Sequence, residues 1–161
     1  MRTAVLLSIA ALSLFSSTAS AKDLGNRLGI GVQTQLDEVP AASIRYGLPT
    51  ANPARNIQIE GDFGVRIRQG DPTRLVAGGR LLYALVVEDN MNLYAYGGGA
   101  YIDEGGASIV RIQPGVEAQA FPFGLENLGV TAGVGVNLDL GGGETGVETV
   151  GSVIAGVHYW F

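Results

Sequence analysis

The chain closes with Val153-Ile154-Ala155-Gly156-Val157-His158-Tyr159-Trp160-Phe161, and the pattern of this stretch decides the fold. Every second residue counted back from the terminal aromatic is apolar, which selects Val153, Ala155, Val157, Tyr159 and Phe161. A β-strand projects alternate side chains to one side of a sheet, whereas a helix repeats about every 3.6 residues. The stretch therefore predicts a final strand with one apolar face.

The same alternation recurs along the chain after Asn26. Turn signals divide this region into segments whose spacing is typical of all-β proteins. The predicted strands are residues 27–36, 41–48, 57–68, 74–87, 92–102, 108–121, 128–140 and a last strand that runs to 161. An even number of strands joined by short turns is what an up-and-down antiparallel barrel requires. We therefore predict an all-β, eight-stranded antiparallel barrel.

The start of the chain has the three regions of a secretory signal peptide. Met1-Arg2 is positively charged, residues 4–15 are almost entirely apolar, and Ala19-Ser20-Ala21 is a small-x-small cleavage site. The apolar run is shorter than the roughly 20 residues that a membrane-spanning helix needs. The sequence therefore predicts a signal peptide over residues 1–21 and a mature barrel over residues 22–161.

Charged residues collect on the strand faces opposite the apolar ones. They are Arg45, Glu60, Asp62, Arg66, Arg68, Arg80, Arg111, Glu117, Asp139 and Glu148. A membrane barrel is apolar outside and polar inside, and eight strands leave a lumen that side chains can fill. We expect a transmembrane barrel with a lumen filled largely by Arg–carboxylate pairs. Some apolar side chains are also expected there, namely Val76, Leu82, Val86, Val150, Ile154 and Trp160.

Alternation alone leaves a second orientation open, because the charged faces could instead meet water around an apolar core. That alternative would be a soluble, lipocalin-like carrier in the periplasm. The apolar ending and the many glycines on the polar faces, such as Gly29, Gly133 and Gly135, favour the membrane barrel. Glycines make room for long polar side chains in a narrow lumen.

The signal peptide and the terminal stretch together resemble those of the small eight-stranded outer-membrane β-barrel proteins, the family of OmpX and the OmpA transmembrane domain. The resemblance implies a bacterial outer-membrane location, contact with outer-membrane lipid, and recognition of Val153, Ala155, Val157, Tyr159 and Phe161 by the barrel-assembly machinery. It also implies a periplasmic C-terminus, so that the outward loops are residues 37–40, 69–73, 103–107 and 141–145. These loops are shorter than is usual in the family, and adhesion or receptor functions therefore do not transfer.

The sequence offers little for catalysis or cofactor binding. His158 is the only histidine, and Ser152 lies about 20 Å away along the same strand at roughly 3.3 Å per residue. Without cysteine there is no thiolate metal site, and a net charge of −5 argues against nucleic acid as a partner. We predict that the protein is not an enzyme and has no cofactor or metal, while its protein partner remains unidentified.

The predicted function is a non-enzymatic integral outer-membrane β-barrel with a structural role in the envelope. The alternatives are a barrel that binds or passes a small apolar ligand or lipid, and the soluble carrier. Pro114 lies within the sixth predicted strand and cannot donate a backbone hydrogen bond. It marks either a bulge or a lateral opening in the barrel wall.

Overall fold

The computed structural model describes residues 22–34, 40–52, 55–141 and 146–161, and for residues 146–152 it describes the backbone only. The predicted signal peptide and much of the predicted loops 37–40 and 141–145 lie outside the described residues. The strands are β1 (Leu28–Thr34), β2 (Pro40–Leu48), β3 (Ile57–Arg66), β4 (Arg74–Val87), β5 (Met91–Glu104), β6 (Ser108–Ala120), β7 (Leu128–Gly141) and β8 (Gly146–Trp160). A short 3-10 turn, Pro122–Gly124, joins β6 to β7.

The strands form a closed antiparallel barrel in chain order, which confirms the predicted fold class. Closure is made by β1 and β8, where Gly29 lies opposite Trp160 and Thr34 lies opposite Ala155. The Phe161 N–H then donates to the Leu28 carbonyl at 2.9 Å. Because every strand has two neighbours, the barrel leaves no open sheet edge.

The side chains alternate between an apolar outer face and a polar inner face. In β3, Ile59 and Phe63 are 45% and 54% exposed, whereas Glu60 between them is 6% exposed. The barrel is therefore inverted with respect to a water-soluble fold, with its large apolar side chains outside. In the described part of the chain no helix has the length and apolarity needed to cross a membrane.

The lumen is filled in layers. A first apolar layer of Leu24, Phe121 and Trp160 closes the end where both described chain ends lie. A second contains Leu82, Ala84, Tyr94, Tyr96 and Ile154, and a third contains Val76, Ala100 and Ile102 with Ile109 packed against them. Along β4, the charged Arg80 lies between Val76 of the third layer and Leu82 of the second.

The prediction that Val86 lies in the lumen is wrong. The pairing of β4 with β5 shifts between Ala84 and Val86, so that Ala84 pairs with Tyr94 and Val86 with Leu93. A shift of one residue moves the side chains that follow to the other face. Val86 is therefore 40% exposed on the outside. Val76, Leu82, Ile154 and Trp160 are buried as predicted, and the side chain of Val150 lies outside the description.

Pro114 was expected to mark either a bulge or a lateral opening, and the bulge is wrong. The β5–β6 ladder runs through this position, with Gly97 opposite Pro114. The pairing with β7 is interrupted between Ile112 and Gly115, but its register is the same on both sides, since Ile112 faces Leu138 and Gly115 faces Gly135. A register shift occurs one ladder further on, between Gly135 and Asn137 in the pairing of β7 with β8. Pro114 is an outward-facing residue of a strand that keeps its register.

Candidate functional site

Four charged side chains from four strands meet at mid-lumen. They are Arg45 on β2, Glu60 on β3, Arg80 on β4 and Glu117 on β6, and we call them the charge quartet. The side chain of each has 0% exposure. The two positive and two negative charges balance within one buried cluster.

Each arginine of the quartet contacts both glutamates. Arg45 places Nη1 2.8 Å from Glu117 Oε1 and Nε 3.1 Å from Glu60 Oε1. Arg80 places Nη1 2.5 Å from Glu117 Oε2 and Nε 2.5 Å from Glu60 Oε2. The two contacts with Glu117 are hydrogen bonds, and the two contacts with Glu60 are ion pairs. Buried charges are tolerated when they are paired in this way, and arginine supplies the planar set of donors that two carboxylates need. The ring of four contacts joins opposite walls across the lumen.

Gln33 on β1 extends this network. Its Oε1 accepts hydrogen bonds from Arg45 Nη2 at 3.2 Å and Arg80 Nη2 at 2.7 Å. Its Nε2 donates to Asp62 Oδ1 at 2.7 Å. One glutamine therefore fixes both guanidinium groups and links them to a third carboxyl group.

Tyr96 supports Arg80 from the other side. The guanidinium carbon of Arg80 lies 5.0 Å from the centroid of the Tyr96 ring, within the range of a cation–π interaction. The ring lies over a cross-strand pair of glycines, Gly115 and Gly135. A Cβ atom added at either glycine would overlap the Tyr96 hydroxyl. Tyrosine at position 96 therefore depends on the absence of side chains at these two positions.

Ser43 and His158 lie beside the quartet. Ser43 Oγ donates to Glu60 Oε1 at 2.5 Å, and His158 Nε2 lies 2.9 Å from the same hydroxyl. Both residues pair with Gly31, and a Cβ atom there would come within 2.8 Å of the imidazole. Ser43 on β2 and His158 on β8 are therefore neighbours through β1, although no spacing along a single strand relates them. For this reason the sequence did not predict their contact.

The Ser43, His158 and Glu60 group lacks the geometry of a catalytic triad. In a triad the carboxylate holds the ring nitrogen that faces away from the serine. Here Glu60 lies 3.7 Å from Nε2, the nitrogen that faces Ser43, and it also accepts the hydroxyl hydrogen bond. Ser43 and His158 are 1% and 0% exposed. The arrangement can hold the quartet in place, but it gives a substrate no access to the hydroxyl.

Apart from Asp62, which Gln33 links to the quartet, the other predicted lumen charges lie away from it. Arg111 makes a bidentate pair with Asp139, with two contacts of 2.6 Å. Arg66 is half-buried at the end of β3, opposite Arg74, and Arg74 pairs with Glu104, a contact that the sequence did not predict.

Arg68 and Glu148 were also predicted to belong to the charge network in the lumen. Arg68 is not part of it, because β3 ends two residues earlier and its 73% exposed side chain pairs with Asp71 in the next turn. The backbone of Glu148 lies opposite Asn137, and its side chain lies outside the description. In the described residues, no group of three or more His, Asp and Glu could hold a metal ion.

The segment before β1 closes the lumen at the end near the termini. Leu24 is fully buried against Phe121 and Trp160. The Lys22 carbonyl accepts from the side-chain amides of Asn56 and Asn92, each at 3.4 Å. Partial burial holds the pKa of the Lys22 ammonium below its ordinary value. This closure was not predicted, because residues 22–26 lack strand periodicity.

The five residues predicted to form the assembly signal share the outer face of β8. Val153, Val157, Tyr159 and Phe161 are 72%, 42%, 47% and 67% exposed, and Ala155 is exposed between them. The rings of Tyr159 and Phe161 meet edge to face, with centroids 5.0 Å apart. They form one apolar stripe that ends at the rim of the barrel.

The arrangement of the strands is that of a known β-barrel domain. The structure is similar to the crystal structure of the N-terminal β-barrel domain of Pseudomonas aeruginosa OprF, with a TM-score of 0.61 and 14% sequence identity. The match covers 85% of this chain and 98% of that domain. No family model matches the sequence, and no curated protein matches it either. The likeness therefore shows the fold.

Proposed function

We propose that this protein is a non-enzymatic integral β-barrel of the bacterial outer membrane, with a lumen closed by the charge quartet and a structural role in the envelope. The observation that carries this proposal is the inverted barrel. Eight large apolar side chains on the outer wall, which we call the apolar belt, are each between 43% and 55% exposed. They are Ile44, Ile59, Phe63, Leu81, Val110, Ile112, Val116 and Val134.

The exposure of this belt favours lipid as the surrounding medium. A continuous ring of exposed apolar side chains is costly in water and is expected of a surface covered by lipid or protein. In hydrocarbon, backbone groups must pair within the protein, and a closed barrel meets that condition. A soluble carrier would need the opposite distribution, with the quartet outside and the belt inside.

The filled lumen supports a closed barrel over one that passes a ligand. Apolar layers flank the quartet on both sides along β4, and Leu24, Phe121 and Trp160 close one end. Movement along the lumen would have to separate four buried charges that compensate one another. The proposed role is therefore mechanical or organisational, without transport.

Reconstitution tests this proposal directly. Protein folded in detergent should float with phospholipid vesicles on a density gradient. In planar bilayers it should give no stepwise conductance above that of lipid alone. Recovery in the soluble periplasm without detergent would contradict the membrane location, and reproducible conductance steps or a co-purified lipid in the lumen would contradict the closed lumen.

The proposed assembly signal has its own test. Deleting Phe161 should lower the amount of folded barrel in the outer membrane, measured by heat-dependent migration on gels. The reason is that the machinery would lose the aromatic end of the β8 stripe. Phe161→Tyr keeps an aromatic ring and serves as the control. Spontaneous folding of the deletion variant into lipid vesicles should be retained, which separates recognition from stability; normal assembly in cells would refute the signal.

A further inference from the structure

A third acidic side chain, Asp62 on β3, lies beside the charge quartet without a charged partner of its own. It is 6% exposed. Its Oδ1 accepts a hydrogen bond from Gln33 Nε2 at 2.7 Å, and its Oδ2 is buried without a hydrogen-bond partner among the described residues. The next charged residue on the inner face of β3 is Arg66, four residues or about 13 Å further along the strand. The Asp62 carboxyl group is therefore buried and only half satisfied.

The charges around Asp62 leave no positive charge to balance it. The guanidinium groups of Arg45 and Arg80 already balance Glu60 and Glu117 within the quartet. An ionised Asp62 would add a further negative charge, with Glu60 two residues away on the same inner face. Burying an unpaired charge is costly, and a neighbouring carboxylate adds to that cost. The buried cluster is neutral only if it holds one additional proton.

His158 on β8 is the other group in the cluster that could carry this proton. Its Nε2 lies 2.9 Å from Ser43 Oγ, and the Ser43 hydroxyl donates its single hydrogen to Glu60. The imidazole therefore donates to Ser43 through Nε2–H, which leaves Nδ1 as the unprotonated nitrogen of a neutral ring. Nδ1 is buried without a hydrogen-bond partner among the described residues. A proton on Nδ1 would make a buried charged donor without an acceptor, so the geometry disfavours His158 as the site.

A protonated Asp62 fits its surroundings better. Ser43 lies opposite Asp62 in the pairing of β2 with β3. A hydroxyl oxygen can accept two hydrogen bonds, and in the described contacts Ser43 Oγ accepts only the one from His158. A carboxylic acid at position 62 would be neutral, would have an acceptor opposite it for its O–H, and would keep the hydrogen bond from Gln33.

We propose that Asp62 is a proton-binding site, and that the folded barrel holds one exchangeable proton on its carboxyl group. Gln33 joins this carboxyl group to the guanidinium groups of both Arg45 and Arg80. Loss of the proton therefore places an unpaired negative charge on the network that fixes the quartet, and the packing of the lumen weakens as the pH rises. The proposal rests on contacts within the lumen and does not require a bilayer around the apolar belt.

The variant Asp62→Asn tests this site, because asparagine has nearly the shape of the protonated side chain and does not ionise. An aspartate in the unfolded chain is ionised above about pH 4, so folding of the unsubstituted protein takes up one proton above that pH. The folding equilibrium constant of Asp62→Asn, divided by that of the unsubstituted protein, should therefore rise about tenfold per pH unit until the folded carboxyl group ionises. Urea titrations in detergent from about pH 5 to about pH 8 measure this ratio.

Asp71→Asn is the matched control, because Asp71 is exposed in the turn after β3, and its ratio should not change with pH. A ratio for Asp62→Asn that stays constant with pH would overturn the proposal. A ratio that changes with pH for His158→Gln and not for Asp62→Asn would place the proton on the imidazole and overturn it as well. If Asp62→Asn does not fold, infrared spectroscopy of the folded unsubstituted protein at about pH 7 should still show the carbonyl band of a protonated carboxylic acid. Absence of that band would overturn the site.

Discussion

Replacing Glu117 by glutamine should lower the free energy of unfolding by about 3–5 kcal/mol, the usual cost of leaving a buried charge without its partner. Glu117 contacts both Arg45 and Arg80, at 2.8 and 2.5 Å. Glutamine has nearly the same shape, so the variant removes charge while leaving the packing in place. Urea titration in detergent, followed by the fluorescence of Trp160, the only tryptophan, measures the change.

A double variant tests whether the loss comes from charge balance. Arg45→Gln added to Glu117→Gln restores equal numbers of positive and negative charges in the quartet, so the double variant should be more stable than Glu117→Gln alone. Glu126→Gln is the matched control, because that side chain is 82% exposed and pairs only with Lys22 at 3.9 Å in the described contacts. Strictly additive losses from the two quartet substitutions would show that the four charges do not act together.

Replacing Leu81 by arginine should weaken folding into lipid bilayers by about 2–4 kcal/mol, the cost reported for arginine on the lipid face at the midplane of a β-barrel. Leu81 is 52% exposed on the outer face near the middle of β4. The substitution brings a guanidinium group into hydrocarbon and disturbs no lumen contact. The measurement is a urea titration of folding into phospholipid vesicles.

The size of the Leu81→Arg effect discriminates between lipid and water around the belt. A water-facing arginine is ordinary in a soluble protein and would change stability little. Asp71→Arg in the exposed turn after β3 is the control, and it should cost no more than about 1 kcal/mol, because the ion pair with Arg68 that it removes is exposed. If Leu81→Arg and Asp71→Arg behave alike, the belt does not face hydrocarbon.

The side chains that fill the lumen bear on which sequence differences the fold tolerates. The structure is similar to that of the OprF domain although the two sequences are only 14% identical. The fold requires alternating apolar and polar residues, turns between the strands and closure of the sheet, and many sequences meet these requirements. The polar side chains in the lumen, in contrast, each depend on particular side chains that they contact. We expect the wall to tolerate apolar exchange on its outer face, while changes among the quartet, Gln33 and Tyr96 are coupled.

Alternation predicted the strands and most of the residue orientations. In β3 the predicted and observed faces agree at Ile59, Glu60 and Phe63, because a strand repeats every two residues wherever its register is regular. The prediction failed at Val86, since the shift in the β4–β5 register depends on how two strands meet. It failed at Arg68 because the strand ends before that residue.

The candidate site could be predicted only in part. That charged residues such as Arg45 and Glu117 face inward follows from their place on the polar faces. Their contact does not, because 72 residues separate them in the chain and four strand-to-strand steps set their positions. The meeting of Ser43 with His158, 115 residues apart, likewise depends on the closure of β8 onto β1.

By itself, then, the sequence determined the number of strands, the apolar outer face and the polar inner face, because these depend on local periodicity. Tertiary structure alone decided which charges pair and how Leu24 and Phe121 close one end of the lumen. Those features depend on barrel closure and on the register of neighbouring strands, which bring together residues far apart in the chain. The local sequence pattern determines whether a side chain lies on the inner or the outer face of the barrel wall. Only the closed barrel determines which side chains it contacts.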